Sequence, residues 1–345
     1  MIMNIKINQA NECNYITVEN NSGLVLTLAD IGAAIRAIKV PDKDGGSKTV
    51  TLCPVSDELF ATAYHGKTIG RTSGRIENAT FTIDGKTALL ERNNFGVDNL
   101  HGGASGFHAA RFDCEVKQGK AYADIVFKRT SPSGEGGYFG DVDITVTYRV
   151  YDDANTFRII FDGSSNANTL LNLTNHVYWN MGGDLVESVN DQILYLNAPK
   201  FGKLNERLIV EDVIPVTKEM DFRSPHKIGD YIYRDSVQLY TKGYDHPYFL
   251  APHSFDDVVA SLYSKRSGIK LEVRTTYPCI VFYSDGQADS NIEVFPGKRD
   301  EQYLAACLEC QYHPDGIHQT PENCGIVSPE RPYHEEIEYK FILMK

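Results

Sequence analysis

Hydrophobic and polar residues alternate along much of this chain with a period of two. Val142, Ile144, Val146, Tyr148 and Val150 alternate with Asp143, Thr145, Thr147 and Arg149. Successive side chains of a strand point to opposite faces, so this pattern predicts a strand with one face buried. Asp152-Asp153-Ala154-Asn155 then turns the chain into Phe157, Ile159 and Phe161, which alternate with Arg158, Ile160 and Asp162. Two alternating runs around a short polar turn predict a hairpin. Further strands are expected at Ile269, Leu271 and Val273, after the turn Ser264-Lys265-Arg266-Ser267-Gly268, and at Ile337, Tyr339 and Phe341. Tyr303 to Gln311 also reads as a strand. No amphipathic helix longer than about ten residues is visible, the usual length of a globular helix; Asp57 to His65 predicts one short helix. Ser131-Pro132-Ser133-Gly134-Glu135-Gly136-Gly137 predicts a loop between strands. With no linker and no internal repeat, the expected architecture is all-β, a large antiparallel β-sandwich with residues 1–345 as one domain.

Composition narrows the partners. A hydrophobic content of 42% with 11% aromatics among 345 residues supports a large core and argues against disorder. The net charge is −12, without a basic block, so nucleic acid and anionic membrane are poor partners. No apolar run approaches the roughly eighteen residues of a membrane span. The N-terminus, Met1-Ile2-Met3-Asn4-Ile5-Lys6, lacks a signal-peptide pattern, and seven cysteines read as free thiols. Both point to the cytoplasm, where the Asn20, Asn78 and Asn172 glycosylation patterns would go unused. Monomer and homodimer are equally compatible with the sequence.

Several polar clusters carry candidate chemistry. Thr174-Asn175-His176-Val177-Tyr178-Trp179-Asn180 places a histidine between an asparagine and the only tryptophan. Imidazole titrates near neutrality, and aromatic faces beside amides suit sugar rings, although a lone strand histidine is commonly structural. On Tyr303 to Gln311, alternation puts Cys307, Glu309 and Gln311 on one face and Leu308 and Cys310 on the other. A glutamate there is costly unless it is paired or faces a cleft. Cys307 and Cys310 have the spacing of a zinc knuckle, but on a strand their sulfurs point apart, so no metal site is expected. His65-Gly66-Lys67-Thr68 resembles the tail of a phosphate loop, yet Ala61 occupies the leading glycine position. Asn99-Leu100-His101-Gly102-Gly103 sets a histidine where a ligand can approach closely. Gly70-Arg71-Thr72-Ser73-Gly74-Arg75 offers two arginines for fork-like donation, and Gly243-Tyr244-Asp245-His246-Pro247-Tyr248 frames an acid and a histidine with aromatics.

Taken together and in order, these pieces resemble the aldose 1-epimerase (galactose mutarotase) family. The resemblance rests on Gly70-Arg71 with Gly74-Arg75-Ile76, Asn99 to Gly103, Thr174 to Asn180, Tyr244 to Pro247, and Leu308-Glu309-Cys310-Gln311. It implies a mutarotase-type β-sandwich and a cofactor-free reaction interconverting the anomers of aldohexoses such as galactose and glucose. By motif position, Glu309 is implied as the general base on the C1 hydroxyl and His176 as the general acid on the ring oxygen. Arg75, His101 and Asp245 are implied as sugar-binding residues, and Tyr283 as part of the sugar site. A bell-shaped pH profile is expected, with Glu309 deprotonated and His176 protonated. Cys310 stands where many relatives have proline, and Tyr283-Ser284-Asp285 departs from the commoner Tyr-Thr-Gly-Asn. These departures bear on sugar preference. The alternatives are an epimerase of another aldose or of a hexose 6-phosphate, with Arg71 as the spare cation, a non-catalytic sugar-binding module, and a glycoside hydrolase using Asp245 and Glu309.

Overall fold

Three large antiparallel sheets, of five, nine and seven strands, enclose one continuous apolar core in the computed structural model, which describes residues 3–10, 13–234, 236–238 and 240–344. The expected hairpin forms from Val142–Tyr151 and Thr156–Ser165. Val142, Ile144, Val146, Tyr148 and Val150 are buried at no more than 1% exposure, as their alternation requires. These strands belong to a nine-stranded sheet in which Tyr333–Leu343 lies between Thr156–Ser165 and Ile269–Thr275. The last strand thereby closes the middle of a sheet whose first strand is Asp113–Gln118, a pairing that no local pattern specifies.

A seven-stranded sheet carries the alternation that matters most. Its central strands are Asp245–Phe249, Cys279–Tyr283, Ala306–Gln311 and Tyr178–Trp179, in that spatial order. Tyr248, Ile280, Phe282, Leu308, Cys310 and Trp179 face the common core. Asp245, Pro247, Val281, Tyr283, Gln311 and Tyr178 line a cavity on the opposite face. Period two thus sorts each strand into a structural half and a chemical half.

The N-terminal sheet, Asn4–Ala10 through Ser47–Thr49, supports this arrangement from one side. Thr51–Leu52 continues it into the seven-stranded sheet, pairing with Tyr178–Trp179. The expected short helix is Asp57–Thr62, capped where the Leu59 N–H donates to Ser56 Oγ, and it stops before His65. The strand expected from Tyr303 begins only at Ala306, because Tyr303 adopts a left-handed φ of 66° and turns the chain. Cys307 and Cys310 fall into different apolar clusters on opposite faces, as expected.

Candidate active site

His176 owes its position to backbone bonds on both sides. Its N–H donates to Lys67 O at 2.9 Å, and its own carbonyl accepts from the Gly66 N–H at 2.8 Å. Asn175, fully buried beside it, donates through Nδ2 to Gly66 O and to Tyr148 Oη, both at 3.0 Å. The Ile35 N–H also donates to Gly66 O, which ties the clamp to the N-terminal sheet. Gly66 has φ 71°, and a Cβ there would lie 1.9 Å from Ile35 O, so no other residue fits. Above this clamp, the rings of His65, Tyr178 and His176 form a stack, with centroids 4.1 and 5.0 Å apart.

Glu309 reaches His176 from the neighbouring strand. Its Oε1 is 3.5 Å from His176 Nε2, while Cys307 Sγ lies 3.5 Å from His176 Nδ1 on the other side of the ring. Glu309 is 3% exposed and stands just beneath the cavity lining, paired in register with Val281. His101 completes the group: its ring lies 5.3 Å from that of His176, nearly perpendicular. It has φ 54°, and Gly102 after it approaches Gly70 O so closely that a Cβ would sit 2.1 Å away. The Gly74 N–H donates to His101 Nδ1 at 3.2 Å, which leaves the ring proton on Nε2 and makes that nitrogen a donor.

Around these three lies a cavity of about 190 Å³. Arg75 and Asp245 line it as a loose ion pair at 3.8 Å, and Tyr283 forms a wall opposite Tyr178. Leu204, Leu208, Ile209 and Val210 supply an apolar side. Ligand sites commonly combine such apolar walls with a few convergent polar groups. Arg75 Nε, Glu309 Oε2 and both polar atoms of the Gln311 amide lack a hydrogen-bond partner among the described residues. Buried polar atoms are nearly always satisfied, so this cluster of open valences marks a place for a polar ligand.

Burial governs the charge state. It pushes the Glu309 carboxyl well above the usual carboxylate range, helped by Asp245 and opposed by Arg75. It pulls His176 down to about 4, and His101 well below its ordinary value. Desolvation therefore disfavours the charged form of each partner. His101, His176 and Glu309 offer ligand atoms within 4.8 Å of one another, a spacing that could hold a metal ion. The Gly74 bond, however, presents His101 as a donor rather than as a lone pair.

All six residues expected at the site converge on it: Glu309, His176, Arg75, His101, Asp245 and Tyr283. Their neighbours do not all follow. Trp179 is fully buried against Tyr339 and Phe341, so it is a core residue and offers no face to a sugar. Tyr244, His246 and Tyr248 likewise point inward, leaving Asp245 and Pro247 of that segment on the cavity. Arg71 is 2% exposed and donates to Ser131 Oγ and to the carbonyls of Ser131, Pro132 and Phe139. It fastens loops and is no spare cation for a ligand. Tyr64, Gln311 and the Leu204–Val210 side were not anticipated as lining residues, whereas Tyr178 belongs to the segment whose aromatic faces suit sugar rings. Of those not anticipated, only Gln311 carried a signal, by sharing the face of Glu309.

The fold and the site define an antiparallel β-sandwich with a buried histidine–glutamate pair beside a small, polar-ended pocket on one sheet. The sequence model of the family described as Aldose 1-epimerase matches residues 14–340. Aldose 1-epimerase of Escherichia coli (strain K12) is 31% identical over 337 residues, covering 95% of this chain and 94% of that protein. Galactose mutarotase of Sus scrofa is 30% identical over 314 residues, covering 90% and 89%. The crystal structure of the GalM/aldose epimerase homologue from C. elegans superposes with a TM-score of 0.87 at 26% identity, covering 96% and 100%. This chain belongs to the aldose 1-epimerase family.

Proposed function

We propose that the protein is an aldose 1-epimerase that interconverts the α and β anomers of free aldohexoses. The observation that carries this reading is the buried pair of His176 Nε2 and Glu309 Oε1, 3.5 Å apart. Opening a pyranose needs one proton removed from the C1 hydroxyl and one delivered to the ring oxygen. Those two oxygens are bonded to the same carbon, so neighbouring acid and base groups can serve both. In this reading Glu309 takes the hydroxyl proton as the C1–O5 bond breaks, and His176 supplies a proton to O5. Rotation about C1–C2 turns the other face of the aldehyde to the O5 hydroxyl. Reclosure reverses the transfers, with His176 taking the proton and Glu309 returning one to O1. Acid–base catalysis of about 10²–10⁴ per group suffices for a reaction that already proceeds in water. His101, Arg75 and Asp245 would hold hydroxyls, and Tyr283 would form a wall.

Arg75 is the only lysine or arginine among the described lining residues, and Asp245 lies beside it. That favours an uncharged sugar over a hexose 6-phosphate. The test is magnetisation exchange between the anomeric carbons of 1-¹³C-galactose and of 1-¹³C-glucose. Exchange between α and β signals should quicken with protein; no quickening for any of several free aldoses would discard the reading.

A further inference from the structure

Gln311 is the fully buried residue that the proton-transfer scheme leaves idle. It is 0% exposed and lines the cavity, yet neither its Oε1 nor its Nε2 meets a hydrogen-bond partner among the described residues. A buried amide left open on both atoms opposes folding, so something outside the chain is expected to complete it. Its position is fixed: Gln311 pairs in register with Cys279 and shares the face of Glu309, two residues earlier. Two residues along a strand span about 7 Å. With Glu309 at O1, the Gln311 side chain therefore falls beside the far edge of a pyranose.

We infer that Gln311 is a sugar-binding residue that holds adjacent hydroxyls on the side of the ring remote from C1, accepting from one through Oε1 and donating to the other through Nε2. An amide presents one acceptor and one donor on a single carbon, and a vicinal diol presents the complementary pair. This inference rests on the aldose reading, and it adds a determinant of which aldose fits. Discrimination at the remote hydroxyls comes from a group that is left unpaired when the hydroxyl is missing.

Gln311→Leu and Gln311→Met separate this role from a structural one. Removing an unsatisfied amide should raise Tm by about 2 °C or more. The same change should weaken galactose by about tenfold or more, since both hydrogen bonds to the diol are lost, with the loss falling on KM more than on kcat. 4-Deoxy-galactose should show part of that loss with the wild type and, relative to galactose, none with Gln311→Leu. A fall in Tm for both variants would make Gln311 structural and overturn the inference. So would an unchanged KM in variants of a wild type that accelerates mutarotation, while leaving the aldose reading intact. If the wild type neither accelerates any aldose nor binds galactose in a calorimetric titration, both fail together.

Discussion

At Glu309, a carboxyl that is 3% exposed stands 3.5 Å from the buried imidazole of His176, with one oxygen unpartnered among the described residues. Such a group weakens the fold whenever it is charged, and that gives a prediction with a definite sign. Its folded pKa is raised, so the folded state holds the proton more tightly than the unfolded chain does. Its unfavourable contribution is absent below the unfolded carboxyl value and grows as pH rises through the folded one. Glu309→Gln should therefore raise Tm, by more at pH 8 than at pH 5, while mutarotation falls by about 10²–10⁴. A second prediction concerns the pair. The profile of kcat/KM should be bell-shaped, because the working state carries one proton. Its acid limb should lie below the ordinary histidine range, since His176 is drawn to about 4, and its basic limb above the ordinary carboxylate range. A profile with a single limb would mean that one of the two groups takes no part in turnover.

Among the elements, the clamp on His176 is the most specific construction. Gly66→Ala would press a Cβ onto Ile35 O and force an alanine to φ 71°. The expected cost is about 2 kcal/mol or more, read as a lower denaturation midpoint, with kcat reduced because the displaced loop carries away the Gly66 N–H that the His176 carbonyl accepts from. A fully stable and active Gly66→Ala variant would show that the loop is not what sets the histidine. The strands themselves were legible because burial on one face writes a period of two into the sequence. Alternation also placed Glu309 and Gln311 together and turned Cys310 away. What could not be read was which face of each strand met the core. Trp179, Tyr244 and Tyr248 look like sugar-stacking aromatics by composition, but they fall on the inward half of the alternation. Arg71 deceived for a related reason: a guanidinium satisfied by four oxygens of distant loops looks, in sequence, the same as a free one. Tyr64 and the Leu204–Val210 side reach the cavity only through tertiary packing, so no local pattern announced them.

On the scale of the whole molecule, the sheets divide the labour. The nine-stranded sheet contributes an apolar face, the N-terminal sheet braces the histidine loop, and the seven-stranded sheet turns one face to the core and the other to the cavity. The overall charge of −12 and the Arg75–Asp245 pair both disfavour an anionic substrate. Galactose 6-phosphate should accordingly be turned over with kcat/KM at least about tenfold below galactose, a discrimination that one unpaired charge readily produces. Equal turnover of the two sugars would reveal a cation that the cavity does not display. The most direct test of the central claim is the optical rotation of fresh α-D-galactose, followed with wild type, Glu309→Gln, His176→Asn and the double variant. The account predicts that wild type speeds the approach to an unchanged final rotation. Each single variant should lose most of that acceleration, and the double variant should lose little more, as expected of residues acting as one unit. Full turnover by a folded Glu309→Gln, or no acceleration by wild type, would contradict it.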